Sequence, residues 1–485
     1  MYFSRFHALM ALAFSILVTG CASPYPHVEE DFQTNWQSQE YNAQVHLLPS
    51  APEALARRID LVRNATKSID LTYFSWDKDT VGLLLVNELK LAADRGVKVR
   101  LVLDDLLVFN EKWLAEANQH ANIEIKLFNP FHSRKSGWLG RSGDFMRHQQ
   151  DLDHRLHEKY FNVDHHTMIL GGRNIGDAYF GYSQSANFFD MDTLFKGEIL
   201  KPFASNYEVL WTSEHVMPIE SQITVKANAE YKALNKALNK VNRKHSGVIL
   251  DIENNIKRLK EMKYIDVVAT PVFDSLEKLK DQKPYFRARA EVAVEEELAN
   301  AQQVTISTPY IVPSQSKFDV IERLTSQGTQ VSLYTNSSAS NDSLFIPAYY
   351  KEHRQTLLDL GVEIHEYRDQ AVNEDHFFHV DTYYHNKTLI IDDEVTYIGS
   401  SNFDPRSDFL NVEFGVFIRS PTFAQDVHHY LAKQKESIYW QVTRDDSGNT
   451  VWQSGEEHHV RDPNYSGWHK IPDWIFKKMD GEFEL

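Results

Sequence analysis

The chain contains 485 residues and has a net charge of -17 at pH 7, with 42% hydrophobic and 25% charged residues. This length exceeds what one ordinary hydrophobic core accommodates, so the sequence predicts at least two domains. The acidic balance disfavours a long nucleic-acid interface, which requires a surface rich in lysine and arginine, although a local basic cleft is compatible with it.

Residues 1–20 are predicted to be a signal peptide, because a positive charge at Arg5 precedes an apolar segment that is too short for a comfortable membrane span. Cys21, the only cysteine, follows small residues directly. This pattern is similar to the lipobox of bacterial lipoproteins, in which the cysteine is lipidated. Residues 21–45 are polar and predict a tether. We therefore expect a lipid-anchored protein at the periplasmic face of the cell envelope, and Ala22 favours the outer over the inner membrane.

Residues 46–220 are predicted to form a first α/β domain, because strand and helix patterns alternate at the spacing of parallel βαβ units. Ser50 and Glu53 have the spacing of a capping box, which predicts where the first helix begins. The predicted elements are a helix from Ser50 to Ala65, strands at 68–76, 97–103 and 123–128, and helices at 80–95 and 110–119.

Residues 266–440 repeat this plan at an offset of roughly 230 residues. Residues 221–265 are rich in lysine, glutamate and asparagine, which predicts a solvated helical connector or, alternatively, a basic surface for anionic lipid headgroups. Residues 441–485 form a tail in which Trp468 and Trp474 lie near lysines, a pattern that suits a membrane interface or docking on its own domain. The predicted elements of the second domain are helices at 291–302, 314–326 and 347–360 and strands at 304–308, 331–335 and 362–367.

One short motif occurs twice in the chain. A histidine, a lysine two positions later and an aspartate five positions after the lysine stand at His157, Lys159 and Asp164 and again at His385, Lys387 and Asp392. Each copy is followed at the same distance by two small residues and then, seventeen positions after the histidine, by an asparagine. These following residues are Gly171, Gly172 and Asn174 in the first copy and Gly399, Ser400 and Asn402 in the second. A second match with an equivalent continuation makes coincidence a poor explanation.

The residue types of the motif suit the chemistry of phosphodiesters. The alternation of His385 and Lys387 with an apolar run predicts a strand that directs both side chains to one face. Neutral imidazole can attack phosphorus, charged imidazole can protonate a leaving group, and both forms coexist near neutral pH. Ammonium and amide groups can hold the non-bridging phosphoryl oxygens, where charge concentrates in the transition state. Two copies brought together would place two histidines, two lysines and two asparagines in one cleft.

The duplicated motif resembles that of the phospholipase D superfamily. This resemblance implies two phospholipase D-like α/β/α sandwich halves packed on a pseudo-twofold axis, with the active site at their interface. It also implies a phosphohistidine intermediate without a metal or other cofactor, in which one histidine is the nucleophile and the other protonates the leaving alcohol. By this resemblance the two catalytic histidines are His157 and His385. The other four catalytic residues hold the phosphate, and they are Lys159, Lys387, Asn174 and Asn402.

The resemblance also implies supporting residues around this set. The motif aspartates, Asp164 and Asp392, resemble residues with a structural role. Ser400 suits a hydroxyl contact to the phosphate, whereas the first copy has Gly172 at that position.

A further acid usually orients each catalytic histidine in this superfamily. Glu413 fits that place in the second half. In the first half a longer insertion precedes Asp190 and Asp192, and Asp192 is the favoured candidate.

Residues 127–131, 171–180 and 189–192 are most similar to the cardiolipin synthase C subgroup of bacterial lipoproteins, and the likeness extends from about residue 45 to about residue 480. It implies transfer of a phosphatidyl group from phosphatidylglycerol or phosphatidylethanolamine to a second phosphatidylglycerol, beside the membrane that holds these lipids. The first alternative is a hydrolytic phospholipase D that releases phosphatidic acid. The second is a periplasmic nuclease or other phosphodiesterase, which the acidic charge disfavours. Whether the enzyme needs a partner protein stays open. A binding module without activity would have lost catalytic residues, and these are intact here.

The chain has 22 histidines, some of which could bind a metal ion. The adjacent pairs 165–166, 428–429 and 458–459 are the candidates, but neighbouring side chains diverge on strands and helices and rarely share one ion. The sequence therefore predicts no metal.

Overall fold

The computed structural model describes residues 31–134, 137–226, 229–343, 346–433 and 435–465. The predicted signal peptide, the predicted lipidation site Cys21 and the tail residues Trp468 and Trp474 lie outside the described residues. None of the helices within those ranges is both long enough and apolar enough to cross a membrane.

The described chain forms two compact units. The first, called the N-terminal unit, consists of Glu40–Phe273 together with the short segment Glu374–His379. The second, called the C-terminal unit, consists of Asp274–Asn373, the described residues from Val380 onwards and those before Glu40.

A mixed sheet forms the centre of the N-terminal unit. Its strands are ordered β10-β4-β3-β2-β6-β7-β9-β1-β11, and only the β4-β3 and β3-β2 pairs are parallel. β5 and β8 are short strands outside this order. The strands are β1 (Tyr41–Leu48), β2 (Ser68–Tyr73), β3 (Lys98–Asp104), β4 (Ile123–Phe128), β5 (Arg155–Leu156), β6 (Tyr160–Val163), β7 (Thr167–Gly171), β8 (Asn187–Phe189), β9 (Asp192–Gly197), β10 (Val216–Pro218) and β11 (Ile265–Phe273).

Helices connect and cover these strands. Apolar residues at helical spacing in the first two helices, such as Leu55, Ile59 and Val86, are buried in a continuous core with β2 and β3. The helices of this unit are α1 (Ala51–Asn64), α2 (Thr80–Asp94), α3 (Lys112–Ala117), α4 (Trp138–Arg147), α5 (Gln149–Leu152), α6 (Leu200–Thr212), α7 (Ile219–Gln222), α8 (Lys232–Lys244) and α9 (Ser246–Lys257), with a 3₁₀ turn at Asp177–Tyr179.

The C-terminal unit also has a mixed sheet at its centre. Its order is β22-β21-β20-β14-β13-β12-β16-β17-β19, and only the β14-β13 and β13-β12 pairs are parallel. Its strands are β12 (Gln303–Ser307), β13 (Gln330–Asn336), β14 (Glu363–Tyr367), β15 (Thr382–Tyr384), β16 (Thr388–Ile391), β17 (Val395–Gly399), β18 (Asn411–Val412), β19 (Phe414–Arg419), β20 (Tyr439–Arg444), β21 (Thr450–Ser454) and β22 (Glu457–His459). Its helices are α10 (Lys278–Asp281), α11 (Tyr285–Ala293), α12 (Glu295–Asn300), α13 (Gln315–Ser326), α14 (Ile346–Asp359), α15 (Pro405–Phe409), α16 (Pro421–Ala432) and α17 (Lys435–Ile438).

The two sheets share one plan. The run β4-β3-β2-β6-β7-β9 in the first matches β14-β13-β12-β16-β17-β19 in the second, with the same parallel and antiparallel pairs. The predicted α/β class and the predicted duplication of the halves are therefore confirmed.

Two local predictions about helices are wrong. The side chain of Ser50 makes no capping bond at the start of α1, and the side chain of Glu53 pairs with Arg57 at 2.9 Å. The single helix predicted at 291–302 is interrupted at Val294, whose φ of -134° is not helical. The side chain of Val294 is buried at this break.

The region predicted as a solvated connector is partly buried. Its helices α8 and α9 pack against α3 and α1. Leu234, Leu238, Val248 and Ile252 belong to the core of the N-terminal unit. One face of these helices is therefore structural, and the other carries the lysines that the sequence analysis noted.

Candidate active site

The two motifs lie at equivalent places in the two sheets. His157 and Lys159 immediately precede β6, and His385 and Lys387 immediately precede β16. The prediction that these residues lie within the strand is wrong, because pairing with the next strand begins only after the lysine in each copy.

In the first motif, the buried side chains of His157 and Lys159 lie beside Phe74. The imidazole and phenyl rings meet edge-on with their centroids 5.5 Å apart. The Nζ atom of Lys159 lies 5.7 Å from the phenyl centroid and donates to the carbonyl oxygen of His157. The aromatic ring therefore fixes the histidine while the lysine places its charge next to it.

In the second motif, the buried Lys387 ammonium lies directly against His385. Its Nζ atom is 2.6 Å from the carbonyl oxygen of His385 and 3.3 Å and 3.4 Å from the two ring nitrogens. An ammonium group this close to a phosphoryl group on the imidazole would stabilise its negative oxygens.

The two asparagines are buried in different surroundings. Asn174 accepts from the Ser75 amide at 3.2 Å and donates to the Tyr179 hydroxyl at 3.1 Å. The backbone N–H of Asn402 donates to Ser407 Oγ at 3.0 Å, whereas its side-chain Oδ1 is buried without a hydrogen-bond partner in the described part of the chain.

A hydrogen-bond network surrounds the fully buried Glu413. Its carboxylate accepts from the hydroxyl of Ser400, from Ser407 Oγ at 3.0 Å and from Asn411 Nδ2 at 3.4 Å. Because Ser407 also accepts from the backbone amide of Asn402, it connects the acid to the asparagine of the second motif. The sequence analysis gave Ser407 no role, although it lies in the residues that follow the second motif.

Asp274 supports this network and was missed from the sequence. Its Oδ2 atom accepts from the backbone N–H of Glu413 at 3.2 Å, and it forms a buried ion pair with Lys278. Burial raises the pKa of Asp274 to about 6, although the charge of Lys278 opposes this shift. Lys278 Nζ also donates to the carbonyl oxygens of Ser407 at 3.2 Å and Asn411 at 2.9 Å. No sequence signal connects Asp274 to residues so distant in the chain.

The sheet register indicates which acid of the first half corresponds to Glu413. Gly399 pairs with Gly415, and Gly171 pairs with Asp192. Glu413 lies two positions before Gly415, and Asp190 lies two positions before Asp192. The two acids therefore occupy equivalent positions in the two sheets. A Cβ atom added at Gly172 would lie 2.5 Å from the Asp190 carboxylate, just as Ser400 contacts Glu413. The preference for Asp192 is thus corrected in favour of Asp190.

Asp192 instead belongs to a buried cluster of charges. Its Oδ2 atom lies 2.9 Å from Arg58 Nη1 and 3.1 Å from Arg173 Nη1. Burial alone would lower the pKa of Arg58, but the charge of Asp192 holds it above its ordinary value. Arg173 also donates to the carbonyl oxygens of Leu48 at 3.1 Å and Pro49 at 2.8 Å. This cluster fixes the backbone next to Asn174.

The motif aspartates bind the loops that precede the central strands. Asp164 accepts from the backbone amides of Thr66, Lys67 and Ser68 at 2.7–2.9 Å. Burial tends to raise the pKa of Asp164, but these hydrogen bonds lower it overall. In the second half, Asp392 accepts at 2.8 Å from the backbone amides of Gln302, which precedes β12, and Gln303, its first residue. Both contacts connect the motif hairpin to the sheet and do not involve the histidines.

Close contacts explain the small residues that follow each motif. A Cβ atom at Gly171 would lie 2.2 Å from Asp192 Oδ1. At Gly399 it would lie 2.0 Å from the hydroxyl oxygen of Tyr397. Larger residues at these positions would displace the neighbouring side chains.

One group of potential metal ligands lies away from the motifs. His132, Asp144 and His148 bring their ligand atoms within 4.8 Å of one another in the described part of the chain. Asp144 accepts from the Ser133 amide at 3.0 Å, and its Oδ1 atom is 3.0 Å from His148 Nδ1. The group could hold a divalent cation, and adjacent histidines in the sequence do not reveal it because its two histidines are far apart in the chain.

A family model described as "Cardiolipin synthase, PLD-like domain" matches residues 59–211 and 294–435. Each matched range contains one copy of the motif, its asparagine and its acid. Because the two ranges make up more than half of the chain, the protein belongs to this family of phospholipase D-like domains. The predicted membership in the phospholipase D superfamily is confirmed.

Individual proteins agree with this assignment. An uncharacterized protein of Helicobacter pylori is 29% identical over 427 residues, which cover 85% of this chain and 82% of the relative. Cardiolipin synthase C of Escherichia coli is also 29% identical over 427 residues, with coverages of 84% and 87%. The crystal structure of phosphatidylserine synthase from Haemophilus influenzae superimposes with a TM-score of 0.60 and 16% identity over 91% of this chain and 95% of that one. At this identity the structural match supports the fold alone.

Proposed function

We propose that this protein is a phosphatidyltransferase that makes cardiolipin from phosphatidylglycerol and a second phospholipid. The observation that carries the proposal is the pair of intact half-sites, each with a histidine, a contacting lysine, a buried asparagine and a buried acid. The relatives named cardiolipin synthase, of which one covers 84% of this chain, support the choice of reaction. The catalytic roles below are part of the proposal.

In the first step, a ring nitrogen of one histidine attacks the phosphorus of the donor lipid. The bond from phosphorus to the glycerol or ethanolamine oxygen breaks, and the other, protonated histidine transfers its proton to that oxygen. The product is a phosphatidyl-histidine and a free alcohol. Lys159, Lys387, Asn174 and Asn402 hold the non-bridging oxygens, whose negative charge requires donors at fixed positions.

In the second step, the histidine that lost its proton accepts one from a hydroxyl of phosphatidylglycerol. The oxygen of that hydroxyl attacks phosphorus, the bond from phosphorus to nitrogen breaks, and cardiolipin is released. If water replaced the lipid hydroxyl, the product would be phosphatidic acid. The outcome depends on whether a second lipid excludes water from the site.

We also propose that Cys21 anchors the enzyme to the membrane through a lipid, after removal of residues 1–20. Both substrates lie in membranes, so an anchor would raise the effective concentration of enzyme and substrate for each other. Cys21→Ser should move the protein from the membrane to the soluble fraction of the cell envelope and abolish incorporation of a labelled fatty acid. Persistent labelling of the variant would contradict the anchor.

The reaction is tested by incubating the purified mature protein with labelled phosphatidylglycerol, with and without phosphatidylethanolamine, and separating the lipid products. We expect cardiolipin together with released glycerol or ethanolamine, and the released alcohol identifies the donor. Phosphatidic acid as the sole product would make the protein a hydrolase. No product from either lipid would contradict the proposed substrates.

A further inference from the structure

A cavity of about 170 Å³ lies inside the C-terminal unit. Helices α11, α12 and α13 form one wall, and strands β12, β16, β17 and β19 form the other. The surface of its lining is mainly apolar, although polar and charged residues also border it. Representative lining residues are Val294, Leu298, Val304, Ile306, Ile321 and Leu324.

The apolar lining and the size limit what the cavity binds. Apolar cavities of roughly 150 Å³ take up small hydrocarbons, so this partly open cavity can hold a short hydrocarbon segment. The cationic groups on its border, Lys317 and Arg287, face carboxylates: Lys317 lies 2.9 Å from Asp408, and Arg287 lies 3.4 Å from Glu291. Because these charges are matched within the protein, the cavity suits an uncharged hydrocarbon and not an anion.

One end of the cavity reaches the candidate active site. Ser401 and Asn402 line it there, together with Thr308 at the end of β12. The lining includes residues 304, 306 and 307 of β12 and residue 308 directly after it, so the cavity follows the chain for about 13 Å. The opposite end is lined by Val304, which pairs with Ile391 at the far end of β16. An occupant can therefore extend from the buried amide of Asn402 into aliphatic surroundings.

The N-terminal unit provides an internal comparison. There α1 and α2 pack on β2 with Leu55, Ile59 and Val86 in a continuous core. Two further helices, α8 and α9, cover them from outside. In the C-terminal unit the wall is divided into α11 and α12 by the break at Val294, which itself lines the cavity. The break between α11 and α12 therefore lies at the cavity.

We propose that this cavity binds a short segment of one acyl chain of the phospholipid whose phosphate is held by Asn402. The inference rests on the proposed function, because it takes the substrate to be a phospholipid. A chain bound here contributes binding energy remote from phosphorus and positions the phosphate at the motif. Acyl-chain selectivity then resides in α11 and α13, outside the motifs.

A photo-crosslinking experiment tests the occupant without requiring turnover. The full-length purified protein in detergent micelles is irradiated with phosphatidylglycerol that carries a diazirine on one acyl chain, and the labelled peptides are identified. We expect labels within residues 285–300 and 315–326. The same labels should form in His385→Ala, because binding does not require the nucleophile or the acid. Labels confined to other parts of the chain would overturn the proposal.

Variants that fill the cavity provide the matched comparison. Ala290 and Val320 line the cavity from opposite helices and are half-buried. Val292 lies on the same helix as Ala290 but is exposed. Ala290→Phe and Val320→Phe should each lower labelling of these helices about tenfold, the effect expected from changing the fit of a hydrophobic pocket. Val292→Phe should leave it unchanged, and equal labelling in all three variants would overturn the proposal.

Chain-length selectivity gives a second measurement that remains informative if a variant is less stable. The ratio of kcat/KM for long-chain over short-chain phosphatidylglycerol should fall about tenfold in Ala290→Phe and Val320→Phe, but not in Val292→Phe. An unchanged ratio would contradict the acyl-chain site. Cardiolipin synthesis without labels in the helices would disprove only the cavity assignment, whereas labels without cardiolipin would disprove only the proposed reaction.

Discussion

Asp190 and Asp192 are two residues apart but have different surroundings. Asp190 lies beside Gly172, at the position that Glu413 occupies relative to Ser400. Asp192 lies between Arg58 and Arg173. The second acid therefore neutralises two buried arginines, whereas the first corresponds to Glu413, and its proposed role is to orient a histidine.

We expect Asp190→Asn and Asp192→Asn to have different effects. Asp190→Asn should lower turnover about 100-fold or more with little change in stability, because an amide does not hold the histidine in the same tautomer. Asp192→Asn should lower the free energy of unfolding by about 3–5 kcal/mol, because it leaves two arginines without their buried counter-charge. Lipid turnover and urea unfolding of both variants measure these effects. The opposite pattern would restore Asp192 as the orienting acid.

The sequence revealed the motif residues but not this acid, for a definite reason. The histidines, lysines, aspartates and asparagines recur at one fixed offset, so they could be aligned without a structure. The acids do not recur at that offset, because Asp190 follows Gly172 by 18 positions and Glu413 follows Ser400 by 13 positions. Only the pairing of the strands shows that Asp190 is equivalent to Glu413.

The segment Glu374–His379 buries a histidine in the N-terminal unit. His376 is 3% exposed and packs against Gly181, where an added Cβ atom would lie 2.7 Å from the imidazole ring. Both ring nitrogens are without a hydrogen-bond partner in the described ranges of the chain. Burial lowers the pKa of His376 to about 4, and the nearby charge of Arg173 acts in the same direction. The folded state therefore favours the neutral ring.

This histidine makes stability depend on pH. A folded-state pKa below the ordinary value means that stability is present above about pH 6.5 and is lost as the pH falls towards 4. Between pH 7 and pH 5, His376 should account for a loss of about 2 kcal/mol in the free energy of unfolding. His376→Phe should remove that part of the loss, as measured by denaturant unfolding at the two pH values. An equal loss in the variant and the wild-type protein would contradict the assignment.

At the scale of elements, two serines precede helices but have different contacts. Ser420 Oγ accepts from the Phe423 amide at 3.3 Å and caps α16. Ser50 precedes α1 without a capping bond. The spacing of Ser50 and Glu53 predicted a capping box, but Ser50 makes no capping bond and Glu53 pairs with Arg57.

These contacts predict the effects of two alanine substitutions. Ser420→Ala should lower the free energy of unfolding by about 1 kcal/mol, the usual effect of losing a capping side chain. Ser50→Ala should change it by less than about 0.5 kcal/mol, because no capping bond is lost. Urea unfolding of the two variants under identical conditions makes the comparison. A larger loss for Ser50→Ala than for Ser420→Ala would contradict the observed caps.

At the scale of the whole molecule, the duplicated plan was predictable because hydrophobic periodicity and the motif repeat at the same offset. Features that depend on packing between distant segments were not predictable, since they leave no local pattern. The contact of Asp274 with Glu413 and the cavity behind Asn402 are of this kind. That both half-sites act together in one reaction stays a prediction.

The most direct test of the account compares cardiolipin formation by the wild-type protein with that of His157→Ala and His385→Ala. Because each histidine has a separate role in both steps, we expect either substitution alone to lower turnover by at least about 1000-fold. Circular dichroism and the unfolding temperature should remain near those of the wild-type protein, which excludes misfolding as the cause. If either correctly folded variant retained a rate near that of the wild type, the two-histidine mechanism would be wrong.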